Sequence, residues 1–204
     1  MALKLTTSDG VHLEALHDRA KDSGGVIVLC HPHPQHGGTM RAPMLGTIAK
    51  HAVSEGFDVL RFNFRGVGES TGIHGNGVDE LHDIDAAMAY VAALDAPVAG
   101  VCGWSFGAAV SLNWQAETGS TVPYVGIAPP VTSPLTPHLP EPSRLSPARR
   151  GFMIGERDQF IPADDLAAYA DSISAQIIRY PGTDHFFVLK HKKLAEDVFR
   201  MIQE

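Results

Sequence analysis

Short apolar runs of strand length alternate with longer amphipathic segments along most of the chain, and this alternation limits the possible folds more than any other feature. The run GVIVLC (25–30) contains no charged residue, as expected of a strand that is covered on both faces. The segment 78–95 instead repeats apolar residues at helical spacing, with acidic residues in its first turn. Repeated strand–helix units of this kind predict an open, mostly parallel sheet with helices on both faces.

The N-terminal part of the pattern differs, because two strand-like runs flank Asp9-Gly10, a pair that tolerates the backbone of a tight turn. We therefore predict an antiparallel hairpin ahead of the parallel strands. With 204 residues and no internal repeat, residues 1–204 are expected to form one domain. The predicted strands span 3–7, 11–18, 25–30, 57–64, 98–102, 122–128, 152–155 and 176–180. The predicted helices span 40–54, 78–95, 106–118, 162–173 and 190–203.

The net charge and the N-terminal sequence limit the kinds of molecule that this protein is expected to bind. A formal net charge of −7 argues against a nucleic-acid partner, since nucleic-acid binding usually requires a basic face. The opening MALKLTTSDG lacks the apolar core of a targeting signal, and no stretch approaches the roughly 18 apolar residues of a membrane span. We therefore expect a cytoplasmic protein without a membrane partner.

The strongest chemical signal is the pentapeptide GWSFG (103–107), which follows an apolar strand and opens a helix. The pattern G-x-S-x-G in this context is typical of a nucleophile elbow, a tight turn that lifts the serine hydroxyl clear of the sheet. The flanking glycines remove side-chain atoms that would clash where the helix folds back over the strand. The pattern predicts that Ser105 is a nucleophile.

A serine nucleophile requires a base, and the base requires a carboxylate that orients it. In chain order the acid and then the histidine are expected after the serine, each at the end of a strand. Asp158 in GERDQFIP and His185 in GTDHFF occupy such positions. Glu156 remains an alternative acid, whereas Asp184 is disfavoured because sequence neighbours usually point apart.

The stretch HPHPQHGG (31–38) raises the question of a metal site, because metallo-β-lactamase-type enzymes resemble it in carrying H-x-H-x-D-H after a strand. Here Gln35 stands at the aspartate position, and an amide is a poor ligand for such a metal. The strand–helix alternation also differs from the pattern of that fold. We therefore predict no metal at this loop and keep a metallohydrolase only as a minor alternative.

Taken in chain order, the motifs resemble those of the α/β-hydrolase superfamily over nearly the whole chain. These motifs are HPHPQHGGTM, RFNFRGVGES, GWSFG, GERDQFIP and GTDHFF. The first two resemble in particular small, capless bacterial serine hydrolases related to dienelactone hydrolases. Dienelactone hydrolases themselves use a cysteine nucleophile, and this chain has Ser105 there. The resemblance implies a mostly parallel open sheet of about eight strands, an N-terminal antiparallel hairpin and no cap domain.

The resemblance also assigns roles around the nucleophile. It implies an oxyanion hole formed by the backbone N–H groups of Phe106 and His33. The proline-rich segment 132–148, which contains five prolines, stands where larger relatives insert a cap, so an open site is expected. Trp104, Phe160 and Phe186 are candidate pocket walls.

Arg65, in RFNFRGVGES, matches a structural arginine of the superfamily motif D-x-R-G-x-G-x-S, in which Asn63 replaces the usual aspartate. A clamp for a substrate carboxylate is the alternative role for this arginine. The two glycines that follow it do not make a phosphate loop, because neither G-x-x-x-x-G-K-[ST] nor GxGxxG is present at this point.

These observations favour a serine hydrolase that cleaves a carboxylic ester or thioester of a small acyl substrate without a cofactor. An acyltransferase would use the same three residues and is the main alternative. A non-catalytic module with the same fold is less favoured, because all three members of the Ser-Asp-His set are present.

Overall fold

The computed structural model describes residues 3–204 as eight strands and five helices. The strands are β1 (Leu3–Thr6), β2 (His12–Asp18), β3 (Val26–Cys30), β4 (Asp58–Phe62), β5 (Val98–Trp104), β6 (Tyr124–Ile127), β7 (Arg150–Gly155) and β8 (Gln176–Tyr180). The helices are α1 (Pro43–Ser54), α2 (Glu80–Ala93), α3 (Phe106–Thr118), α4 (Ala163–Ser172) and α5 (His191–Gln203). The predicted element order is thereby confirmed.

All eight strands join one sheet in the order β1-β2-β4-β3-β5-β6-β7-β8. The N-terminal hairpin is antiparallel, and β2 also pairs antiparallel with β4. Every later pairing is parallel. The carboxyl ends of β3 to β8 therefore meet at one edge of the sheet, where open α/β sheets place their ligands.

Two hydrophobic cores cover the two faces of the sheet. Along β3, Ile27 and Leu29 join one core, whereas Val28 and Cys30 join the other, as the alternation of side chains in a strand requires. Helices α1 and α5 pack together over the first core, and α2 and α3 pack against each other on the opposite side. This double coverage explains why the central strands read as continuous apolar runs.

The element boundaries differ from the prediction where a contact or a special residue decides them. Helix α1 begins at Pro43 and not near residue 40, since proline lacks an N–H and is favoured in the first helical turn. Strand β7 begins two residues early because Arg150 and Gly151 pair with Tyr124 and Val125 of β6. Within residues 3–204, no helix combines the length and apolar character needed to cross a membrane.

Candidate active site

Ser105 lies in the turn between β5 and α3 with a backbone φ of 53° and ψ of −116°. A positive φ is unusual for a residue with a side chain and is commonly found where function requires strain. The Ser105 N–H donates to the Ile127 carbonyl at 2.8 Å, and the Ser105 carbonyl accepts from the N–H of Ala108 and of Ala109, both at 3.0 Å. The backbone of the turn is thus fixed to β6 on one side and to α3 on the other.

The glycines on either side of Ser105 are required by close packing. A Cβ at Gly103 would meet the backbone of Ala108, and a Cβ at Gly107 would meet the carbonyl groups of Cys30 and His31. The nearest atoms at both positions are backbone atoms, which cannot move aside as the end of a flexible side chain can. The predicted elbow is therefore present, and helix α3 passes close over the ends of β3 and β5.

Asp158 and His185 form a hydrogen-bonded pair beyond the ends of β7 and β8. His185 Nδ1 lies 2.7 Å from Asp158 Oδ2, and both side chains are almost fully buried. The other carboxylate oxygen of Asp158 accepts from the N–H groups of Phe160 and Ile161 at 2.9 and 3.0 Å. Because a carboxylate can only accept, Nδ1 of His185 carries the hydrogen and Nε2 is left as a base.

The competing carboxylates have other partners. The Glu156 carboxylate lies 3.7 Å from the Arg179 guanidinium on the surface. Asp184 Oδ1 accepts from the N–H of Phe186 at 3.1 Å and from that of Val188 at 3.4 Å. Of the three acids considered from the sequence, Asp158 is thus the one bonded to the imidazole of His185.

Ser105 and His185 line one cavity of about 610 Å³. In the described part of the chain no hydrogen bond joins the Ser105 hydroxyl to His185. Such bonds are often long in the absence of substrate and shorten when the site is occupied. The volume lies within the roughly 300–1,000 Å³ that small-molecule sites occupy.

The three aromatic residues predicted as pocket walls all line this cavity. The ring of Phe160 meets that of His185 edge-on at 5.0 Å, and Trp104 lies 6.0 Å from the same imidazole. Phe186 contacts Trp104 edge-on at 6.2 Å. The imidazole is therefore surrounded by apolar surface on the cavity side.

The His31 ring fixes the backbone of its own loop. The Phe64 N–H donates to His31 Nε2 at 3.0 Å, so Nδ1 of the same ring carries the hydrogen and donates to the Pro32 carbonyl at 2.6 Å. Burial of this ring lowers the pKa of His31 to about 4, so the ring is neutral at physiological pH. Since the Pro32–His33 peptide is trans, its N–H points away from the carbonyl that His31 holds.

The two backbone N–H groups predicted to bind an oxyanion have no acceptor of their own. Among residues 3–204, neither the N–H of His33 nor that of Phe106 donates a hydrogen bond. The Phe106 N–H is the first of helix α3, where no carbonyl of the helix can reach it. Both groups therefore lack a partner within residues 3–204, and His33 also lines the cavity.

The histidines of the HPHPQHGG loop are not arranged as metal ligands. His33 Nδ1 accepts from the Gln35 N–H at 3.2 Å, and its Nε2 lies 2.9 Å from the Leu135 carbonyl. Burial lowers the pKa of His33. From Leu3 to Glu204 no group of three or more His, Cys, Asp or Glu residues is placed to hold a metal ion.

The segment 132–148 contributes more than the sequence predicted, because residues 132–136 form one wall of the cavity. We call residues 132–140 the wall segment. Three side chains from outside hold it, each through a backbone carbonyl of the segment. His33 donates to the carbonyl of Leu135, Asn113 to that of His138 and Tyr169 to that of Pro140, at 2.9, 2.8 and 2.8 Å. No local pattern could predict these contacts, since His33 and Leu135 are 102 residues apart in the chain.

Arg65 is fully engaged away from the cavity. Its guanidinium donates to Asp83 and to Asp9, each at 2.9 Å, and its side chain is buried. This arrangement is the one expected of a structural anchor. Asn63 likewise serves the structure, since its side chain accepts from the Met40 N–H at 2.8 Å and donates to Glu14 at 2.7 Å.

The eight-stranded sheet, the strained serine turn and the absence of a lid from residues 3–204 define an α/β serine hydrolase of the capless type. The chain belongs to the dienelactone hydrolase family, whose model matches residues 70–200. It is 32% identical over 184 residues to an uncharacterized protein of Rickettsia prowazekii (strain Madrid E), covering 85% of this chain and 76% of that protein.

Solved structures agree with this assignment. An alpha-beta serine hydrolase homologue from Coxiella burnetii is 29% identical, with a TM-score of 0.85 over 98% of this chain and 96% of that one. A serine hydrolase without lid from Xanthomonas campestris is 26% identical, with a TM-score of 0.86 over 100% of this chain and 93% of that one. The prediction of a capless hydrolase is thereby confirmed.

Proposed function

We propose that this protein hydrolyses a carboxylic ester or thioester through an acyl-enzyme on Ser105, with His185 as the base and Asp158 as its orienting acid. The observation that carries the proposal is the buried Asp158–His185 pair, whose histidine lines the same cavity as Ser105 in its strained turn. The N–H groups of Phe106 and His33 are proposed as the oxyanion hole, and their lack of other acceptors supports this role.

In the first half of the reaction, Ser105 Oγ attacks the acyl carbonyl while His185 Nε2 takes the hydroxyl proton. The carbonyl oxygen becomes an oxyanion, which the two N–H groups stabilise. When the tetrahedral intermediate collapses, His185 returns the proton to the leaving alcohol or thiol. Asp158 keeps the imidazole in the required tautomer and stabilises the imidazolium.

In the second half, water replaces the leaving group and His185 acts again as the base. Attack on the acyl-enzyme gives a second tetrahedral intermediate, whose collapse releases the carboxylic acid and restores Ser105. If an alcohol or amine acted in place of water, the protein would be an acyltransferase. Dependence of turnover on an added acceptor separates these two activities.

The substrate class follows from the cavity. Its walls include four prolines and the rings of Trp104, Phe160 and Phe186, together with polar residues such as Thr39 and Thr132. Its mouth is open, since residues 3–204 form no cap domain over it. We therefore propose small or medium-sized apolar acyl groups, with the leaving group directed toward the mouth.

The test is hydrolysis of p-nitrophenyl esters from acetate to dodecanoate by the wild type and by Ser105→Ala. We expect the variant to lose on the order of 10⁶-fold in kcat, as serine hydrolases do when the nucleophile is removed. Ser111→Ala is the matched control, because it removes a hydroxyl from the helix that follows Ser105, and this hydroxyl donates only to the backbone carbonyls of Gly107 and Ala108, at 2.7 and 3.2 Å. Activity that persists in Ser105→Ala and disappears with a chelator would contradict the proposal.

A further inference from the structure

A group of exposed apolar side chains lies beside the cavity mouth and is not used by the proposed reaction. The segment 186–189, which we call the mouth turn, has the sequence FFVL. Phe186 is 46% exposed, Val188 59% and Leu189 97%, whereas Phe187 between them is fully buried. An almost fully exposed leucine with apolar neighbours is the kind of surface that marks an interaction site.

The mouth turn is held in this conformation by the protein. Phe187 packs edge-on against Tyr180 at 5.3 Å, and its carbonyl accepts from the Lys190 N–H at 2.9 Å. Asp184 Oδ1 caps the N–H groups of Phe186 and Val188 from below. Phe187 and Leu189 have positive φ values of 51° and 62°, which are costly for residues with side chains. The apolar side chains are thus presented to solvent at an energetic cost, with little entropy left to lose on binding.

Basic residues follow the mouth turn directly, in the sequence KHKK (190–193). Lys190 and Lys192 are exposed, while Lys193 donates to the buried Asp197 at 2.9 Å. The nearest acidic groups in sequence are Asp184, whose carboxylate caps the turn, and the exposed Glu196 one helical turn further on. In a chain with a net charge of −7, residues 186–192 thus combine exposed apolar side chains with two exposed lysines.

The apolar surface continues from the mouth turn into the cavity. Phe160 and Leu135 are 64% and 56% exposed, and both also line the cavity, as Phe186 does. A flat apolar surface placed against the mouth turn, Phe160 and Leu135 would therefore contact the turn and the rim of the cavity at the same time. Exposed apolar side chains flanked by lysines fit an anionic lipid surface, because the apolar groups can enter the lipid while the lysines contact the charged headgroups.

We propose that the mouth turn inserts into the surface of an anionic phospholipid bilayer and brings the open cavity to that surface, in contrast to the expectation from the sequence that the protein has no membrane partner. Leu189, Val188 and Phe186 would enter the headgroup–acyl boundary, while Lys190 and Lys192 contact phosphate groups. A symmetric dimer through the same turn would bring the exposed lysines of both copies into one interface, and their repulsion disfavours a second copy as the occupant. This binding is independent of the proposed ester hydrolysis.

The test is co-sedimentation of the full chain with vesicles of phosphatidylglycerol and phosphatidylcholine in equal parts, and with vesicles of phosphatidylcholine alone. We expect binding to the anionic vesicles, weakened by salt and by the absence of phosphatidylglycerol. Leu189→Ser should weaken binding about tenfold. Lys190→Gln with Lys192→Gln should weaken it about 25-fold, since each lysine near an anionic surface contributes about fivefold.

Two controls isolate the mouth turn. Lys4→Gln with Lys21→Gln makes the same change in net charge at exposed positions of the N-terminal part of the chain, and it should leave binding unchanged. Ser105→Ala should sediment like the wild type, which separates binding from catalysis. Leu189→Ser should keep wild-type activity on p-nitrophenyl acetate, because Leu189 does not line the cavity.

Three results would overturn the proposal. These are no sedimentation of the wild type with anionic vesicles, equal binding by the mouth-turn variants, or a dimer in light scattering that Leu189→Ser dissociates. The last result would assign the mouth turn to a second copy of the chain.

Discussion

Two of the buried imidazoles at the sheet edge, those of His31 and His185, each have their tautomer set by one neighbour. In His31, the Phe64 N–H occupies Nε2, so the ring must donate from Nδ1 to the Pro32 carbonyl. In His185, the Asp158 carboxylate occupies Nδ1, so Nε2 remains free. Both rings therefore carry the hydrogen on Nδ1. The His31 ring uses it to hold the Pro32 carbonyl, whereas the His185 ring has Nε2 free to accept a proton.

This difference makes the proposed acid testable against its sequence alternative. Asp158→Asn should keep the fold but lower kcat by about 10⁴-fold, because the amide can stabilise the wrong tautomer of His185. Glu156→Gln, the matched change at the other candidate acid, should keep activity within a few-fold, since Glu156 pairs with Arg179 on the surface. The measurement is steady-state hydrolysis of p-nitrophenyl acetate; a larger loss in Glu156→Gln would reverse the assignment.

At the scale of elements, the strained turn depends on how closely α3 approaches the ends of β3 and β5. The carbonyls of Cys30 and His31 leave no space for a side chain at Gly107. The same residue type in α1, Gly46, has no atom within 4 Å of where its Cβ would lie. Position 107 therefore has no room for any side chain, whereas position 46 has room for one.

Identical substitutions at these two glycines should change stability in opposite directions. Gly107→Ala should lower the free energy of unfolding by about 1–3 kcal/mol or more, because backbone atoms must move to admit the methyl group. Gly46→Ala should raise it by about 0.5–1 kcal/mol through helix propensity. Urea denaturation of both variants checks the prediction. A Gly107→Ala protein that is as stable and active as the wild type would show that the turn can admit a methyl group at this position.

The wall segment is the second element-scale feature with a measurable consequence. His33→Ala keeps the backbone N–H proposed for the oxyanion hole but removes the side-chain bond to the Leu135 carbonyl. We expect KM to rise several-fold, roughly the effect of one lost hydrogen bond, while kcat changes less.

His36→Ala is the control for this variant, because its ring stacks on His33 at 4.4 Å but does not bond to the wall segment. A loss in kcat with unchanged KM would place the His33 side chain in the chemistry. In that case the main role of the His33 side chain would not be to hold the wall segment.

Element order was predictable from the sequence because it depends on local patterns. The apolar run at 25–30 and the GWSFG turn each carry their own signal within a few residues. The placement of β4 between β2 and β3, and the bonds that hold Leu135 and His138, depend on residues distant in the chain. The acid was predicted with an alternative for the same reason, since only the fold decides which carboxylate reaches His185.

At the scale of the whole molecule, His31 ties its own loop to the backbone at Phe64 and cannot be protonated without disturbing both. Its pKa is lowered by burial to about 4, against about 6.5 in an unfolded chain. Between these values the unfolded state binds the proton more readily than the folded state. The stability contributed by the neutral ring is therefore complete above pH about 6.5 and is lost as the pH falls toward 4.

A variant isolates this contribution from those of the other titrating groups. The free energy of unfolding of the wild type should fall more steeply with acidification than that of His31→Asn, by up to about 1.4 kcal/mol per pH unit. Denaturant unfolding from pH 7.5 to 4.5 measures both slopes. Equal slopes would mean that His31 titrates normally in the folded protein.

The anchors of the wall segment have a consequence for how selectivity can change. His33, Asn113 and Tyr169 all donate hydrogen bonds to backbone carbonyls of the wall segment, and every amino acid has a backbone carbonyl whatever its side chain. Side chains of the wall can therefore be exchanged without releasing it from its supports. Mutations there would retune the cavity while the serine turn and the Asp158–His185 pair stay untouched. A library confined to 132–136 is thus the starting point for directed evolution toward a differently shaped cavity. The same freedom would let natural variants of this segment change which substrate fits while the proposed catalytic residues stay the same.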